Sequence, residues 1–491
     1  MSQTEAPMQQ LRADLRDWGG PAEMSAFDAV MWRAEADPRL RSTVTSVMVL
    51  DRTPDWAQLM ARHRWLVDAA PRFRQRVVVP ALNTGHPTWV DDPHFDLAYH
   101  VRRIGIAEPG SRRQLFELAQ TLAMTPFDRS RPPWEATLIE GLENGRAAYV
   151  LKLHHAVSDG LGIIQLLTRM LSRTRDDTER AQSELRARSR RAAPSALSLS
   201  LRQLRKRLRT LPQDGAEGLS TARRHLRSAL NDPATLTSYL ASAKRTLGVR
   251  PVPGSPIFRR RSLSWHFEGI EIPLPRLKAA ARQAGASLND ALLAGLIGGF
   301  RRYHEEMGLE QSHMPLSFPV SLRTGDDTLG TNRFAGVQYA APLLETDALK
   351  RIHAIQEFVR GVRQEPALDL LVRMMPAITR LPLPAITAMI AGFTVAQDAQ
   401  ISNVPGIPHQ VFLAGAEVVE FWPFPPLPGC GMMIALVSHS GRCFLGINSD
   451  SAAVTEPDLL AECFRLGVEE VLLLAPAAKK SANARKRTAK S

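Results

Sequence analysis

Cysteine is nearly absent: 491 residues hold three, Cys430, Cys443 and Cys463. Three cannot build a disulfide framework, and they stand too far apart for a CxxC metal site, so the chain reads as one suited to a reducing, cytosolic-side compartment. The N-terminal run MSQTEAPMQQLRADLRDWGG has acidic residues and no apolar core, which excludes a secretory signal. Long apolar runs are also missing. The longest uncharged stretch, Phe421 to Gly441, carries four prolines and three glycines, which a lipid-exposed helix rarely tolerates, so no transmembrane helix is expected. GxSxG is absent, which removes the nucleophile elbow of a serine hydrolase. Neither GxxxxGK[ST] nor GxGxxG occurs, so the usual signatures of nucleotide and dinucleotide binding are lacking, and neither HExxH nor a spaced Cys/His set marks a metal centre.

What is present is ordinary globular material, with 44% hydrophobic and 23% charged residues over a length that favours two or more cores. The net charge of +13 is unevenly spread. Leu171 to Arg250 holds 18 basic and 7 acidic residues, a balance of +11, and Ala477 to Ser491 holds 6 basic and no acidic residues, leaving −4 for everything else. A mildly acidic compact part argues against a DNA-binding core, and no specific nucleic acid is expected as partner. The basic segments suit an anionic membrane or acidic polymer instead.

Strand-like runs rich in β-branched residues or alternating in polarity occupy Thr43–Leu50, Arg76–Val79, Ala136–Leu142 and Ala147–Leu153, and Gly160–Leu171 has helical spacing. A Ser/Leu/Ala/Arg-rich stretch follows. The second half predicts strands at Ser262–Phe267, Pro315–Leu322, Val337–Leu343, Val411–Val419, Met432–Val437 and Cys443–Asn448. It predicts helices around Leu274–Gly285, at Leu288–Gly308 with Ser287 as cap, and at Leu459–Leu474. The expectation is an α/β protein of two mixed halves: residues 1–171, a basic helical linker at 172–250, a second half at 251–476, and a basic disordered tail at 477–491.

One locus can carry chemistry. LKLHHAVSDGLGIIQLL (Leu151–Leu167) contains HHxxxDG as His154, His155, Asp159 and Gly160. Successive side chains at a strand end point to opposite faces, so one histidine can enter a cleft while the other supports it. Asp159 can orient an imidazole or pair with an arginine, and Gly160 permits backbone geometry closed to other residues. A neutral imidazole, with a pKa of about 6.5, can take the proton of an attacking alcohol or amine. Ser158 is too near His155 in sequence for an ordinary triad, and no metal is expected.

HHxxxDG resembles the signature of the CoA-dependent acyltransferase superfamily, which includes chloramphenicol acetyltransferase and peptide-synthesis condensation domains. Further blocks are similar to the bacterial wax ester synthase/diacylglycerol acyltransferase family: PPWEATLIEGL from Pro132, SLNDALLAGLIGGFRRY from Ser287, PLSFPVSLR from Pro315 and ISNVPGIP from Ile401. They keep the family's order and span most of the chain outside linker and tail. Pro133 replaces a frequent leucine, and the opening MSAFDAVMWRAEADPRLRST lacks the family's common Met-His pair.

The resemblance implies two chloramphenicol-acetyltransferase-like domains with the histidine loop between them, reached by a tunnel from either side. Acyl-CoA enters as co-substrate rather than bound cofactor, and a diacylglycerol or long-chain alcohol is the acceptor. His155 is carried over as general base, His154 beside it, Asp159 as an orienting residue and Gly160 as a turn residue. Asn289 and Asp290 come over as a second-domain pair near the site, and Trp134 and Asn403 as binding or structural residues there. Asn289 can donate to a developing oxyanion or merely cap a helix, and the two readings weigh equally. Asp290 suits the helix dipole, and Asn403 reads as a turn residue. Cytoplasmic protein held peripherally at the membrane's inner face or on lipid droplets follows from lipid substrates and basic segments. Two alternatives keep or discard the chemistry: a hydroxylated secondary metabolite or carrier-bound acyl chain as substrate, or a non-catalytic lipid-granule protein.

Overall fold

The computed structural model describes residues 15–81, 85–176, 195–205, 252–321, 334–365, 374–375, 378–395 and 397–476. In the first half, α1 (Ala26–Ala34), β1 (Thr43–Leu50), α2 (Trp56–Ala69), β2 (Gln75–Val78), β3 (Thr88–Asp91), α3 (Leu97–His100), β4 (Val101–Gly105), α4 (Arg112–Met124), β5 (Trp134–Leu142), β6 (Arg146–His154) and α5 (Gly160–Met170) follow in order. The second half runs β7 (Trp265–Pro273), α6 (Leu274–Gln283), α7 (Leu288–Glu306), β8 (His313–Ser321), β9 (Phe334–Pro342), α8 (Ala348–Arg363) and α9 (Leu383–Val395). It ends with β10 (Ala399–Ile407), β11 (Phe412–Leu413), β12 (Ala416–Phe424), β13 (Met432–His439), β14 (Arg442–Asp450) and α10 (Pro457–Leu472).

Local chemistry sets the boundaries. Side chains of Ser25, Asp55, Ser111, Asp159 and Ser287 accept first-turn amides of α1, α2, α4, α5 and α7, each satisfying a donor the helix itself cannot. β1 is the β-branched run the sequence advertises. The expected single strand over Val411–Val419 is instead two: Ala414 (φ 47°) and Gly415 (φ 83°) turn the chain back between β11 and β12.

Two six-stranded sheets result, ordered β11-β12-β1-β6-β5-β4 and β7-β14-β13-β10-β8-β9, with β2-β3 as a separate hairpin. Both mix parallel and antiparallel pairs, which agrees with the expected α/β class. Each sheet has its own buried cluster, the first centred on residues such as Val47, Trp134 and Val150 and the second on Leu292, Phe300 and Ile434. β12 departs from the expected division at 251–476. It lies late in the chain but pairs antiparallel with β1 from Thr45↔Phe424 onward, so the second half lends a strand to the first sheet.

That strand crosses the second sheet at close range. Gly269 of β7 and Gly446 of β14 are direct partners in the ladder, and Cβ atoms there would lie 2.7 Å from the Trp422 ring and 1.7 Å from the Pro423 carbonyl oxygen. Two side-by-side glycines are what lets β12 lie against β7 and β14, with the rings of Phe267 and Phe424 stacked 4.0 Å apart beside them.

Of the expected basic linker, 196–205 is helical and seats Leu199 against Val78 and Val90, while 177–194 and 206–250 lie outside the described residues, as does the tail at 477–491. No helix among the described residues is long and apolar enough to cross a membrane. The proline-rich stretch from Phe421 is the end of β12, a loop and β13.

Candidate active site

HHxxxDG folds as a strand end, a turn and a helix cap, and this accounts for its spacing. β6 lies between β1 and β5, with Thr43 opposite His154 and Trp134 opposite Leu153. The strand end is held from both sides: the His154 amide donates to the Pro133 carbonyl at 3.0 Å and the His155 amide donates to the Ser42 carbonyl at 2.7 Å. The Val157 amide then donates to the His154 carbonyl at 2.9 Å, closing the turn. Two residues later Asp159 caps α5, its Oδ1 accepting from the Gly162 amide at 2.8 Å.

The two histidines have different environments. His154 is wholly buried, and its Nδ1 accepts from the Ala156 amide at 3.0 Å. A backbone amide can only donate, so the ring proton of His154 sits on Nε2, which lies 3.4 Å from Glu35 Oε2 and beside the edge of Trp32. His155 is half-buried and is the more exposed member of the pair. Burial pushes the His155 imidazole below the ordinary histidine value, the neighbouring His154 adds to that, and the Asp159 carboxylate opposes them. The net effect keeps His155 neutral, the form that accepts a proton.

Gly160 serves a different purpose from the one expected. Its φ is not positive, and the constraint is space: a Cβ there would lie 2.9 Å from Val404 Cγ2 of β10. Val404 thus brings β10 of the second sheet against the start of α5. Among the described residues β10 pairs with β8 only at Ala399↔Leu316 and Gln400↔Ser317, so the two strands part from Ile401 onward, beside the motif. The histidine loop therefore stands where the two sheets meet.

The other expected site residues distribute unevenly. Trp134 shares a face with Leu153, hence the face opposite His154, and its indole donates to the Phe73 carbonyl at 2.8 Å and stacks on His100 at 4.7 Å. It is a core residue of the first sheet. Asp290 and Ser287 form a reciprocal capping box on α7, at 2.9 and 3.2 Å. Asn289 is half-buried in that first turn, and among the described residues no hydrogen bond joins it to the histidine pair. Asn403 is an exposed mid-strand residue of β10, not a turn residue.

Sequence reading missed Glu35. It stands at the C-terminus of α1, accepts from the Ser42 amide at 3.1 Å, and meets Arg129 at 3.3 Å besides His154. Burial alone raises its carboxyl, but His154, the Ser42 amide and Arg129 together outweigh this and hold it down at about 2. Its partner His154 is far away in sequence, so no local pattern marks it. A second acid–imidazole cluster, His266, Glu268 and Asp458, brings its ligand atoms within 4.8 Å, but the Arg113 guanidinium already contacts His266 at 3.3 Å and Glu268 at 3.4 Å. A guanidinium in that place disfavours a metal cation.

Comparison with known proteins decides the family. Residues 24–292 match the model of the wax ester synthase/diacylglycerol acyltransferase catalytic domain, and residues 330–471 match the model of the WS/DGAT C-terminal domain. The chain belongs to the wax ester synthase/diacylglycerol acyltransferase family. A Mycobacterium tuberculosis protein provisionally named a diacylglycerol O-acyltransferase is 38% identical over 462 residues, covering 92% of each chain. The wax ester synthase/diacylglycerol acyltransferase from Marinobacter aquaeolei VT8 has the same fold, with TM-score 0.62 at 21% identity over 92% of this chain and 99% of that one. A starter condensation domain of rhizomide synthetase, in complex with C8-CoA and Leu-SNAC, superposes with TM-score 0.57 at 13% identity over 97% of both chains. Within this WS/DGAT-family chain the two histidines and Asp159 are therefore the residues to test.

Because Asp159 caps α5, Asp159→Asn keeps an acceptor for Gly162, whereas Asp159→Ala loses it at a cost of about 1 kcal/mol. Denaturant unfolding and transfer rates should both rank Asn above Ala. Equal stability with equal loss of activity would instead assign the carboxylate a direct part in the chemistry.

Proposed function

We propose that this chain is an acyl-CoA-dependent O-acyltransferase that makes neutral lipid, with diacylglycerol or a long-chain alcohol as acceptor. The observation that carries the reading is the half-buried His155 at the end of β6, where the two sheets meet and Val404 of β10 lies against the start of α5. The family match and the names of its relatives support the substrate class.

The chemistry needs few groups. His155 takes the proton of the acceptor hydroxyl as its oxygen attacks the thioester carbonyl, and the resulting imidazolium returns that proton to the departing CoA sulfur. Acyl group, proton and electron pair are all accounted for without an acyl-enzyme. Asp159 holds the turn after His155 and the start of α5 in place, and so orients the base. Asn289 is the proposed oxyanion donor of the second half.

The acceptor and product partition into lipid, and the basic balance of Leu171 to Arg250 suits an anionic surface, so the enzyme acts peripherally at a membrane or droplet. Purified protein given long-chain acyl-CoA with a panel of diacylglycerols, long-chain alcohols and hydroxylated metabolites should yield triacylglycerol or wax ester. Products formed only from the metabolites, or only from a carrier-bound acyl donor, would move the protein to another branch of the superfamily. No product from any donor would leave the non-catalytic reading.

A further inference from the structure

Three contacts and one peptide bond form a closed circuit around the end of β6. The Ser42 amide donates to Glu35 at 3.1 Å, the Ser42 carbonyl accepts from the His155 amide at 2.7 Å, His155 is bonded in sequence to His154, and His154 Nε2 returns to Glu35 at 3.4 Å. Two of its members are also held from outside. The Ala156 amide occupies His154 Nδ1 and dictates which nitrogen bears the proton, and Arg129 holds the Glu35 carboxylate from the opposite side at 3.3 Å. Glu35, Ser42 and His154 are largely buried, so water does not compete freely for these contacts.

We infer that Glu35 is a positioning residue for the general base. It acts on His155 by two routes: through Ser42, which anchors the His155 backbone, and through His154, whose protonated Nε2 edge its carboxylate faces at 3.4 Å and so favours in that orientation. Glu35 does not touch the reacting atoms. This inference rests on the assignment of His155 as base, and it gives the first histidine of the motif a defined function, as the link between a carboxylate on α1 and the catalytic residue beside it.

A residue that merely fills space can be replaced by an apolar side chain of similar length, whereas a residue that accepts hydrogen bonds cannot. Glu35→Met keeps the volume and loses both acceptors, and Glu35→Gln keeps an acceptor without the charge. In the full chain, Glu35→Met should lower kcat roughly 10- to 100-fold, with KM for acyl-CoA within about twofold, as expected when a catalytic group is displaced and binding is spared. Glu35→Gln should recover most of that loss. Equal kcat for the Met and Gln variants, or a change confined to KM, would overturn the positioning role.

A second readout does not depend on turnover. Reaction of each histidine with diethyl pyrocarbonate, followed by peptide mass spectrometry, should find His154 protected in the parent and in Glu35→Gln, and reactive in Glu35→Met. His154 protected equally in all three would also overturn the inference. Should the parent transfer no acyl group at all, the assignment of His155 as base fails, while the labelling pattern still reports whether Glu35 holds His154.

Discussion

Replacement of His155 by alanine is expected to remove nearly all acyl transfer while the protein remains folded. General-base catalysis contributes roughly 100- to 10,000-fold, and the loss should appear in kcat with little change in KM for acyl-CoA. Folding should survive because His155 is anchored to Ser42 through its backbone amide, which alanine retains. His154→Ala should behave differently. It removes a wholly buried ring packed on Trp32 and leaves Glu35 and the Ala156 amide without their partner, so stability falls along with activity. The pH profile offers a further check. Burial holds His155 below the ordinary histidine value, so the parent should keep its neutral, active form to lower pH, and the acidic limb of kcat/KM should fall below about 6.5. Full activity in His155→Ala, or an acidic limb well above that value, would end the general-base assignment.

The parts of this site that are local in sequence were readable from it. Histidines at a strand end, a turn and an aspartate before an apolar helix all lie within one short stretch, and the same physics that makes Asp159 a good cap makes the motif recognisable. Glu35 was unreadable because its role depends on a contact between α1 and the end of β6, and a glutamate at a helix terminus is common for other reasons. β10 was hidden by its own composition. Ser402, Asn403, Pro405 and Gly406 spell a turn, yet they form a strand because the β10–β13 register breaks between Val404 and Ile407, where proline has no amide to lose and where only glycine fits, since a Cβ on Gly406 would lie 1.8 Å from the Ser438 carbonyl oxygen. Gly160 shows a related failure: the sequence says that a glycine is needed, and only the packing of Val404 says that the reason is space rather than dihedral angle. The alternation in β12 announces a strand without naming its partner, so the exchange between halves could not be foreseen.

That exchange yields the largest stability effect expected of a single methyl group. Gly446→Ala places a Cβ 1.7 Å from the Pro423 carbonyl oxygen, whereas real Cβ contacts essentially never fall below 3.0 Å. The obstructing atom is backbone, so no rotamer change relieves it, and β12 must move away from β14 as a strand. Its partner Gly269 faces Trp422 at the same crossing, and the indole there is fixed by a 2.7 Å hydrogen bond to Glu420 and packing against Phe116 and Phe444. Neither side can yield cheaply, and the cost of overpacking should reach about 3 kcal/mol or more. Gly361, exposed on α8 with nothing within 4 Å of its Cβ position, supplies the contrast. Gly361→Ala should stabilise by about 0.5–1 kcal/mol, since alanine is the better helix former. Denaturant midpoints of the two variants against the parent measure both effects with the same chemical change. A Gly446→Ala protein as stable as the parent would mean that β12 does not cross the second sheet where Gly269 and Gly446 make room for it, and would return Ala416–Phe424 to the half of the chain in which the sequence places it.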